Sequence, residues 1–365
     1  MASPRLDSLA QSIAEPRAVM SSPKVRSFSP EVAEAWDQFV LEQPGASFFQ
    51  LVGWRRVIEK TFGYKACYFY AERDGRITGV APLFAISNWV MGKCLISVPF
   101  GVYGGVCAAD ADSEQALIDH LKGFAVSQDV DFLELRNRNR TMISGFHPNR
   151  RYATFHSPLF EDPALNLKRL PKDTRYMIRK SQKAGLRAQE GLKQQLDAFY
   201  QLFAWNFWNL GTPAFPRALL ENLVQEFPGR VHLLLVYLGA QPVSGVFSLL
   251  FRDTILPYYA GTSPEANGLA ANNFMYWELM QAAAQSGIRR FDFGRSKVGS
   301  GAYAFKTQWN MSVEALDYQI FLVKRETPPD FSPLNPKFDL AARAWKRLPL
   351  PLATWLGPHV VRWFP

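Results

Sequence analysis

The sequence is poor in the side chains that build metal sites and disulfide scaffolds. Its 365 residues include only five histidines, none in an HxH or HxxxH spacing, and three cysteines without a CxxC pair. An odd cysteine count in a chain of this length suits a reducing compartment. These features argue against a zinc site and a histidine-centred triad, so we expect no metal and catalysis by other groups.

Long apolar runs are also missing. No stretch reaches the roughly 18 uninterrupted apolar residues of a membrane-spanning helix. Residues 1–26 hold prolines, serines and scattered charges instead of a signal-peptide core, and we expect them to form a disordered leader. The expected location is the cytoplasm, with peripheral contact at the inner membrane left open.

Hydrophobic side chains and positive charge are abundant. Hydrophobic residues make up 48% of the chain and aromatic residues 14%, which is enough for a large core and two ordinary domains. Lysines and arginines number 41 against 32 aspartates and glutamates, so the net charge is +9. This balance favours an anionic partner such as a phosphate ester, a nucleic acid or a lipid head group.

The same order of predicted elements occurs twice along the chain. The first set comprises helices at 30–40 and 49–62, a hairpin at 66–84 with an Asp-Gly turn, a strand at 94–98, a helix at 113–127 and a strand at 132–136. After a connecting strand near 152–156, the second set comprises helices at 192–209 and 217–227, strands at 231–238, 243–251 and 254–260, a helix at 271–286 and a strand at 290–293. The pattern predicts an α/β (α+β) fold with two copies of one mixed-sheet architecture.

Two motifs resemble those of a known family. Residues 291–296 (Phe-Asp-Phe-Gly-Arg-Ser) and 301–309 (Gly-Ala-Tyr-Ala-Phe-Lys-Thr-Gln-Trp) resemble the strand, glycine-rich loop and Phe-Lys pair of Fem-type (FemAB-like) peptidoglycan bridge ligases. The basic segment 175–185 resembles the basic helix of these ligases. Residues 210–213 (Leu-Gly-Thr-Pro) and 103–105 (Tyr-Gly-Gly) are further points of resemblance that make the match more specific. Residues 28–325 look closest to the Fem-like proteins of exosortase (PEP-CTERM) and exopolysaccharide loci, and the Trp, Leu-Pro and Gly-Pro ending is similar too.

The resemblance implies two acetyltransferase-like (GNAT) folds in tandem, which we place at residues 27–160 and 161–325, with the active site in the second. It implies an N-acyltransferase that passes an acyl or aminoacyl group to an amine of a cell-envelope or exopolysaccharide precursor. No cofactor is expected to be bound permanently. Acyl-CoA is the expected co-substrate, and aminoacyl-tRNA is the other donor left open.

Lys306 is the first catalytic candidate. A lysine between Tyr303 and Trp309 is costly to bury without a negative partner, and it can offer a positive field to a developing oxyanion or phosphate. The resemblance places this Phe-Lys lysine in the active site, whereas the alternative is a surface lysine with a snorkelling stem. Asp292 and Tyr303 are further catalytic candidates, and Trp309 is a candidate substrate contact. Asp292 could orient the site or act as a base, but it could instead simply pair with Arg295 or cap a loop.

Several basic residues are candidates for binding an anionic substrate. Arg295 lies just past a predicted strand end, where it could bind phosphate or carboxylate. The predicted basic helix carries one positive stripe, whose members are Lys172, Arg175, Arg179 and Lys183. That stripe is either a solvated face or a surface for substrate pyrophosphate or tRNA.

The segment Glu-Ala-Asn-Gly-Leu-Ala at 265–270 stands where the family's pyrophosphate motif belongs. The helix start that follows offers unpaired N–H groups, so Gly268, Ala270 and Ala271 are the candidates for binding the donor cofactor. Glu265 replaces the usual glutamine or arginine and repels phosphate, which leaves an ordinary turn as the alternative. Tyr103 and Tyr259 are candidate substrate contacts, with core packing as their alternative.

The segment 326–365 is rich in proline, tryptophan and basic residues, and we expect it to be an appendage outside the core. Neighbouring aromatic and basic side chains suit a membrane interface, while packing onto the second domain would explain the tryptophans as well. Two other functions stay open at this point. One is a non-catalytic scaffold that binds anionic polysaccharide intermediates or partner enzymes at the membrane surface, and the other is nucleic-acid binding.

Overall fold

The computed structural model describes residues 21–138, 142–266, 268–329 and 336–365. The elements of the first half are β1 (Lys24–Ser27), α1 (Ala33–Glu42), α2 (Val52–Phe62), β2 (Lys65–Ala66), β3 (Phe69–Arg73), β4 (Arg76–Ala81), β5 (Phe84–Asn88), β6 (Gly92–Ile96), β7 (Cys107–Ala108), α3 (Ala111–Ser127), β8 (Phe132–Arg136) and β9 (His147–Asn149). Those of the remainder are β10 (Tyr152–Pro158), α4 (Pro163–Arg169), α5 (Lys172–Gln182), β11 (Leu186–Glu190), α6 (Leu196–Leu210), α7 (Arg217–Glu226), β12 (Val231–Leu238), β13 (Gln241–Phe251), β14 (Thr254–Thr262), α8 (Ala271–Gln285), β15 (Arg290–Asp292), β16 (Ser296–Lys297), α9 (Gly301–Thr307), β17 (Ser312–Ala315), β18 (Tyr318–Leu322), α10 (Pro336–Trp345) and α11 (Leu350–Val361).

Two large sheets follow the same plan. The first has the strand order β2-β5-β6-β8-β18-β9, and the second has the order β11-β12-β13-β14-β15-β10-β16 with β17 beside β10. A smaller sheet has the order β1-β3-β4-β7. Each large sheet contains one parallel strand pair, β6 with β8 in the first and β14 with β15 in the second, and the other pairs are antiparallel. A helix leads into the second strand of each parallel pair, α3 before β8 and α8 before β15. The mixed α/β class and the repeated architecture predicted from the sequence are confirmed.

The two halves exchange strands. β10 pairs with β15 and β17, so it belongs to the second sheet, although it precedes the boundary predicted at residue 160. β18 returns to the first sheet and pairs with β8 and β9, although it precedes the boundary predicted at residue 325. Strand pairing therefore does not follow the predicted division, because side-chain alternation identifies a strand without specifying which sheet accepts it.

The predicted hairpin is present, with a difference in its second strand. Its turn has positive φ at Asp74 (51°) and Gly75 (75°), as a two-residue type I′ turn requires. The returning strand β4 ends at Ala81, and the chain then enters β5, which pairs with β2 and β6 in another sheet. Pro82, which has no N–H to continue a ladder, stands at this break.

One apolar core runs through both halves. The rings of Phe48 and Phe227 lie 4.3 Å apart, and a Cβ added at Gly53 would lie only 2.7 Å from the Phe227 ring. Helices α2 and α7 approach closely because position 53 has no side chain. The shared core fixes the two halves relative to each other, and with them the groups at their junction.

The ends of the chain differ from their predictions. Residues 1–20 of the predicted leader lie outside the described residues, but residues 24–26 form part of β1, which pairs with β3. In the segment 326–365, of which residues 330–335 lie outside the described residues, α11 packs on α6 and the Val361 side chain enters the core. The carbonyl of Ala214 would lie 2.7 Å from a Cβ at Gly357. The prediction of an appendage is therefore wrong for α11, because its apolar face packs against the body of the protein.

No helix in the described ranges has both the length and the hydropathy needed to cross a membrane.

Candidate active site

A cavity opens where the two parallel strands of the second sheet separate. β14 and β15 pair only at Thr254 with Arg290 and at Ile255 with Phe291. Beyond these pairs the strands enclose a cavity of about 440 Å³, with residues 256–260 on one wall and residues 293–295 on the other. Unpaired strand edges leave backbone groups free to meet a ligand.

A β-bulge shapes the first wall. In the pairing of β13 with β14, Phe247 opposes Tyr259 and Ser248 opposes Pro257, so Tyr258 has no opposite residue. Consecutive side chains of a regular strand point to opposite faces, but this extra residue lets Tyr258 and Tyr259 line the same cavity. The bulge therefore brings two consecutive aromatic side chains of β14 to the site.

The cavity has an apolar wall and a cationic end. The apolar wall is formed by Phe100, Val102, Phe207, Phe215, Leu256, Tyr276 and Phe293. The cationic end is formed by Arg295 and Lys306, and Phe364 and Pro365 of the C-terminal segment complete the lining. Such a site fits an apolar chain that carries a negative or strongly polarised group at one end.

Arg295 is a cation without an acidic partner. Its guanidinium lies 4.8 Å from the ring centre of Tyr152, and it donates a hydrogen bond of 3.2 Å to the Tyr318 hydroxyl. Its polar neighbours are tyrosines, and no carboxylate of the described residues forms a salt bridge with it. A guanidinium is always charged, so this one is available to an anionic ligand in the cavity.

Lys306 lies at the same end of the cavity. Its ammonium donates to the carbonyls of Phe293 (2.6 Å), Gly294 (3.1 Å) and Arg295 (3.2 Å). Desolvation lowers the pKa of Lys306 to about 8; Asp292 opposes this shift and Arg295 reinforces it. Although the side chain reaches the cavity, its charge is surrounded by protein, which is the reason the desolvation is large. Lys306 thus holds the loop 293–295 in place and contributes positive potential to the cavity.

The Asp292 carboxylate connects the two halves through hydrogen bonds and an ion pair. Its carboxylate accepts hydrogen bonds from the Tyr103 hydroxyl, the Thr154 hydroxyl (2.8 Å) and the Gly294 N–H (2.8 Å), and Arg138 lies 3.6 Å away. The residue is 1% exposed and does not line the cavity. Both oxygens therefore have partners, and the bond from the Gly294 N–H is a loop cap of the kind named as an alternative for Asp292. The catalytic role of Asp292 stays a prediction. The alternative of an ion pair with Arg295 is wrong.

The aromatic candidates separate into two groups. Tyr259 lines the cavity, and its hydroxyl has no hydrogen-bond partner of good geometry among the described residues. Burial, and after it the neighbouring Tyr258, raises the pKa of the Tyr259 hydroxyl. Tyr303 packs edge-on against Phe155 with ring centres 5.1 Å apart, and Trp309 is 1% exposed. Neither lines the cavity, because both rings complete the core beneath α9. Tyr103 lies behind this cavity and lines a different one.

The predicted donor loop has an unusual backbone. Gly268 (φ 79°) and Ala270 (φ 55°) are left-handed, and Ala271 begins α8. Within the described ranges no side chain caps the N-terminus at Ala270, although the Asn273 N–H in the first turn donates to the Ala270 carbonyl at 3.0 Å. Asn267 lies outside the described residues. The Leu269 N–H is already bonded to the Ala266 carbonyl (3.1 Å), and donor binding at Gly268, Ala270 and Ala271 stays a prediction.

The basic stripe lies on the surface of α5. Arg179 and Lys183 are exposed. Arg175 is half-buried and donates a hydrogen bond of 3.2 Å to the Lys168 carbonyl. None of the three lines the cavity described above. Their roles in binding substrate stay predictions.

Three tyrosines at the site were not among the residues predicted from the sequence. Tyr258 donates a hydrogen bond of 2.9 Å to the Phe100 carbonyl, and Tyr152 and Tyr318 hold Arg295. The consecutive tyrosines at 258–259 before Ala-Gly were a usable signal. Tyr318 carried none, because β18 reaches the site only by returning to the first sheet.

No three His, Cys, Asp or Glu side chains of the described residues are grouped so that they could hold a metal ion.

Comparisons with known proteins agree with this fold. Residues 168–307 match the family described as an acetyltransferase (GNAT) domain, and no curated protein matches the sequence. The fold is similar to that of FemX, with a TM-score of 0.65 and 15% identity over 82% of this chain and 98% of that chain. It is also similar to the C-terminal domain of a putative lysylphosphatidylglycerol synthetase from Agrobacterium fabrum (TM-score 0.56, 12% identity, 86% and 94% covered) and to a tandem GNAT protein from the clavulanic acid biosynthesis pathway (0.53, 10%, 84% and 100%). The tandem GNAT fold is thereby confirmed, and the matched segment, which contains Arg295 and Lys306, supports acyl-group transfer.

Proposed function

We propose that this chain is an N-acyltransferase that transfers an acyl or aminoacyl group to an amine of a cell-envelope or exopolysaccharide precursor. The observation that carries the proposal is the Arg295 guanidinium, which faces a cavity of about 440 Å³ beside the Lys306 ammonium with no acidic partner among the described residues. Two cations at one end of an apolar cavity stabilise negative charge that develops on a carbonyl oxygen during transfer.

The reaction follows from this arrangement. The acyl chain of the donor lies against the aromatic wall, and its carbonyl oxygen points towards Arg295 and Lys306. The acceptor nitrogen attacks the carbonyl carbon, so a C–N bond forms. The bond from that carbon to the thiol sulfur of coenzyme A, or to the ribose oxygen of tRNA, then breaks. The nitrogen loses a proton, and the leaving group gains one through solvent.

Acyl-CoA is our preferred donor. The uncapped N-terminus of α8 and the left-handed Gly268 and Ala270 offer N–H groups to its pyrophosphate, and the GNAT match covers this segment. Glu265, which stands in the loop, works against phosphate binding. Aminoacyl-tRNA is the second donor, and the exposed cations of α5 are its support.

We further propose that the acceptor lies at the cytoplasmic side of the inner membrane. Leu340, Leu352 and Trp355 are exposed large apolar side chains of α10 and α11, next to Lys346 and Arg347 in the chain. A surface of this kind suits an anionic lipid interface. Peripheral contact there would bring the cavity close to a lipid-linked precursor of the type that the resemblance to exosortase-associated Fem-like proteins implies.

Mass spectrometry of reaction products tests the proposal. The purified protein would be incubated with a panel of acyl-CoAs or with charged tRNA, together with amine-bearing muropeptides and amino sugars. We expect an acceptor whose mass increases by that of the acyl group. The donors tested would include every one that stabilises the protein in a thermal-shift assay. If the protein binds partners but transfers no acyl group from any of these donors, the non-catalytic scaffold would be favoured instead.

A further inference from the structure

The cavity between β14 and β15 offers no acidic side chain to a ligand. None of the described residues that line it is an aspartate or a glutamate, whereas Arg295 and Lys306 are both cationic. An aminoacyl group carries an ammonium on the carbon next to its carbonyl, so it would bring a third positive charge beside these two. Like charges repel strongly where little water separates them. The charge of the lining therefore disfavours an aminoacyl group.

The main-chain acceptors at the cationic end are also in use. The carbonyls of residues 293–295 accept hydrogen bonds from the Lys306 ammonium at 2.6, 3.1 and 3.2 Å. The Phe100 carbonyl accepts a hydrogen bond of 2.9 Å from the Tyr258 hydroxyl. An incoming ammonium would have to share the first set of carbonyls with Lys306, without a carboxylate in the lining to balance either charge.

An uncharged aliphatic chain, in contrast, suits the rest of the lining. Phe207, Phe215 and Leu256 belong to its apolar wall, and burial of an apolar chain against such side chains is favourable in proportion to the area covered. The cavity has a volume of about 440 Å³. At roughly 30 Å³ for each group of the size of a water molecule, this volume admits a chain of roughly ten to fourteen carbons.

The C-terminal segment limits this space. Phe364 and Pro365 line the cavity, although they lie far from β14 and β15 in the sequence. The first half of the molecule holds their main chain on both sides: Arg136 donates a hydrogen bond of 2.8 Å to the Pro365 carbonyl, and the Tyr64 hydroxyl donates to the Arg362 carbonyl. The Phe364 side chain is therefore a fixed part of the wall, and its removal would enlarge the cavity.

We propose that the acyl group received by this cavity is an uncharged aliphatic chain of roughly ten to fourteen carbons, and that Phe364 limits its length. The inference rests on the proposed function, because it names the class of acyl group that is transferred. Binding of such a chain does not itself require transfer, so it can be measured separately.

Isothermal titration calorimetry with the full chain tests the proposal. The probes are hexanoate, decanoate and hexadecanoate, whose carboxylate takes the place of the polarised carbonyl of the donor, and 2-aminodecanoate, which adds only an ammonium to decanoate. Phe364→Ala removes the ring that lines the cavity. Trp363→Ala is the matched control, because the Trp363 ring packs against Trp89 with ring centres 5.2 Å apart and does not line the cavity.

The wild type should bind decanoate at least about tenfold more tightly than hexanoate, and at least about tenfold more tightly than 2-aminodecanoate. The ratio of hexadecanoate affinity to decanoate affinity should increase at least about tenfold in Phe364→Ala and stay unchanged in Trp363→Ala. No binding of decanoate, equal binding of 2-aminodecanoate, or an unchanged ratio in a folded Phe364→Ala would overturn the proposal. If the expected binding is found but no donor yields an acylated product, the proposed function fails while the class of chain that the cavity binds is supported.

Discussion

The ammonium of Lys306 donates a hydrogen bond to the main-chain carbonyl of Arg295 at 3.2 Å, so one cation of the site holds the backbone of the other. Lys306→Ala removes both this support and a positive charge. We expect the rate of acyl transfer to fall about 100-fold or more, the usual effect of removing one stabilising group from an acyl-transfer site. Lys306→Arg retains the charge and should recover part of the rate, as measured by product formation at saturating donor.

The same variant separates enzyme from scaffold. If the protein only binds partners or polysaccharide intermediates, Lys306→Ala leaves that binding unchanged and there is no rate to lose. If Lys306→Ala keeps full transfer activity, Lys306 has no role in the reaction.

The lowered pKa of Lys306 gives the reaction a pH dependence. If the ammonium stabilises the oxyanion, transfer should decline as pH rises through about 8, the pKa in the folded protein, and the decline should disappear in Lys306→Arg. The stability of the fold should instead increase with pH. Between about 8 and the ordinary value of 10.5 the unfolded chain binds the proton more tightly, so the free energy of unfolding should increase with pH there. Transfer that increases through pH 8 would instead make Lys306 the proton acceptor.

Asp292 is expected to matter for stability more than for chemistry. Asp292→Asn removes the charge that faces Arg138 and weakens the acceptor of Tyr103 and Thr154. We expect the free energy of unfolding in urea to fall by about 2–3 kcal/mol. Tyr103→Phe, which removes a single hydrogen bond, should lower it by about 1 kcal/mol. Unchanged stability with complete loss of transfer would show that Asp292 is the base.

Membrane contact through α11 is open to direct measurement. Trp355 is 65% exposed, and burying its ring in a lipid interface is favourable. Trp355→Ser should reduce sedimentation with phosphatidylglycerol vesicles about fivefold or more, with little effect on phosphatidylcholine vesicles. Val126→Ser on α3 is the control, since Val126 is 58% exposed in a different part of the molecule. Unchanged sedimentation of Trp355→Ser would exclude Trp355 as the contact.

Local patterns predicted much of the fold because their causes are local. The Asp74-Gly75 turn has the φ values that such a pair favours, and the apolar spacing around Trp54 and Ile58 corresponds to a buried helix face. The return of β18 to the first sheet could not be predicted this way. Its place depends on pairing with residues nearly two hundred positions earlier, which no nearby spacing reveals.

The site was predictable in part for the same reason. Lys306 and Arg295 stand in one short motif and do lie together at the cavity. Trp309, from the same motif, is in the core, because an aromatic residue three positions after a lysine can contact either ligand or protein and the sequence does not distinguish them. Tyr318 arrives from a remote strand, so its contact with Arg295 was visible only in the structure.

Arg295→Gln tests whether the cations at the cavity between β14 and β15 form the acyl-transfer site. The matched control is Arg290→Gln, an exposed position on β15 that does not line the cavity. Initial rates of acylated-product formation, followed by mass spectrometry with the donor that the wild type accepts, should fall about 100-fold in Arg295→Gln and stay within about twofold in Arg290→Gln. Equal rates for the wild type and a folded Arg295→Gln would contradict the account.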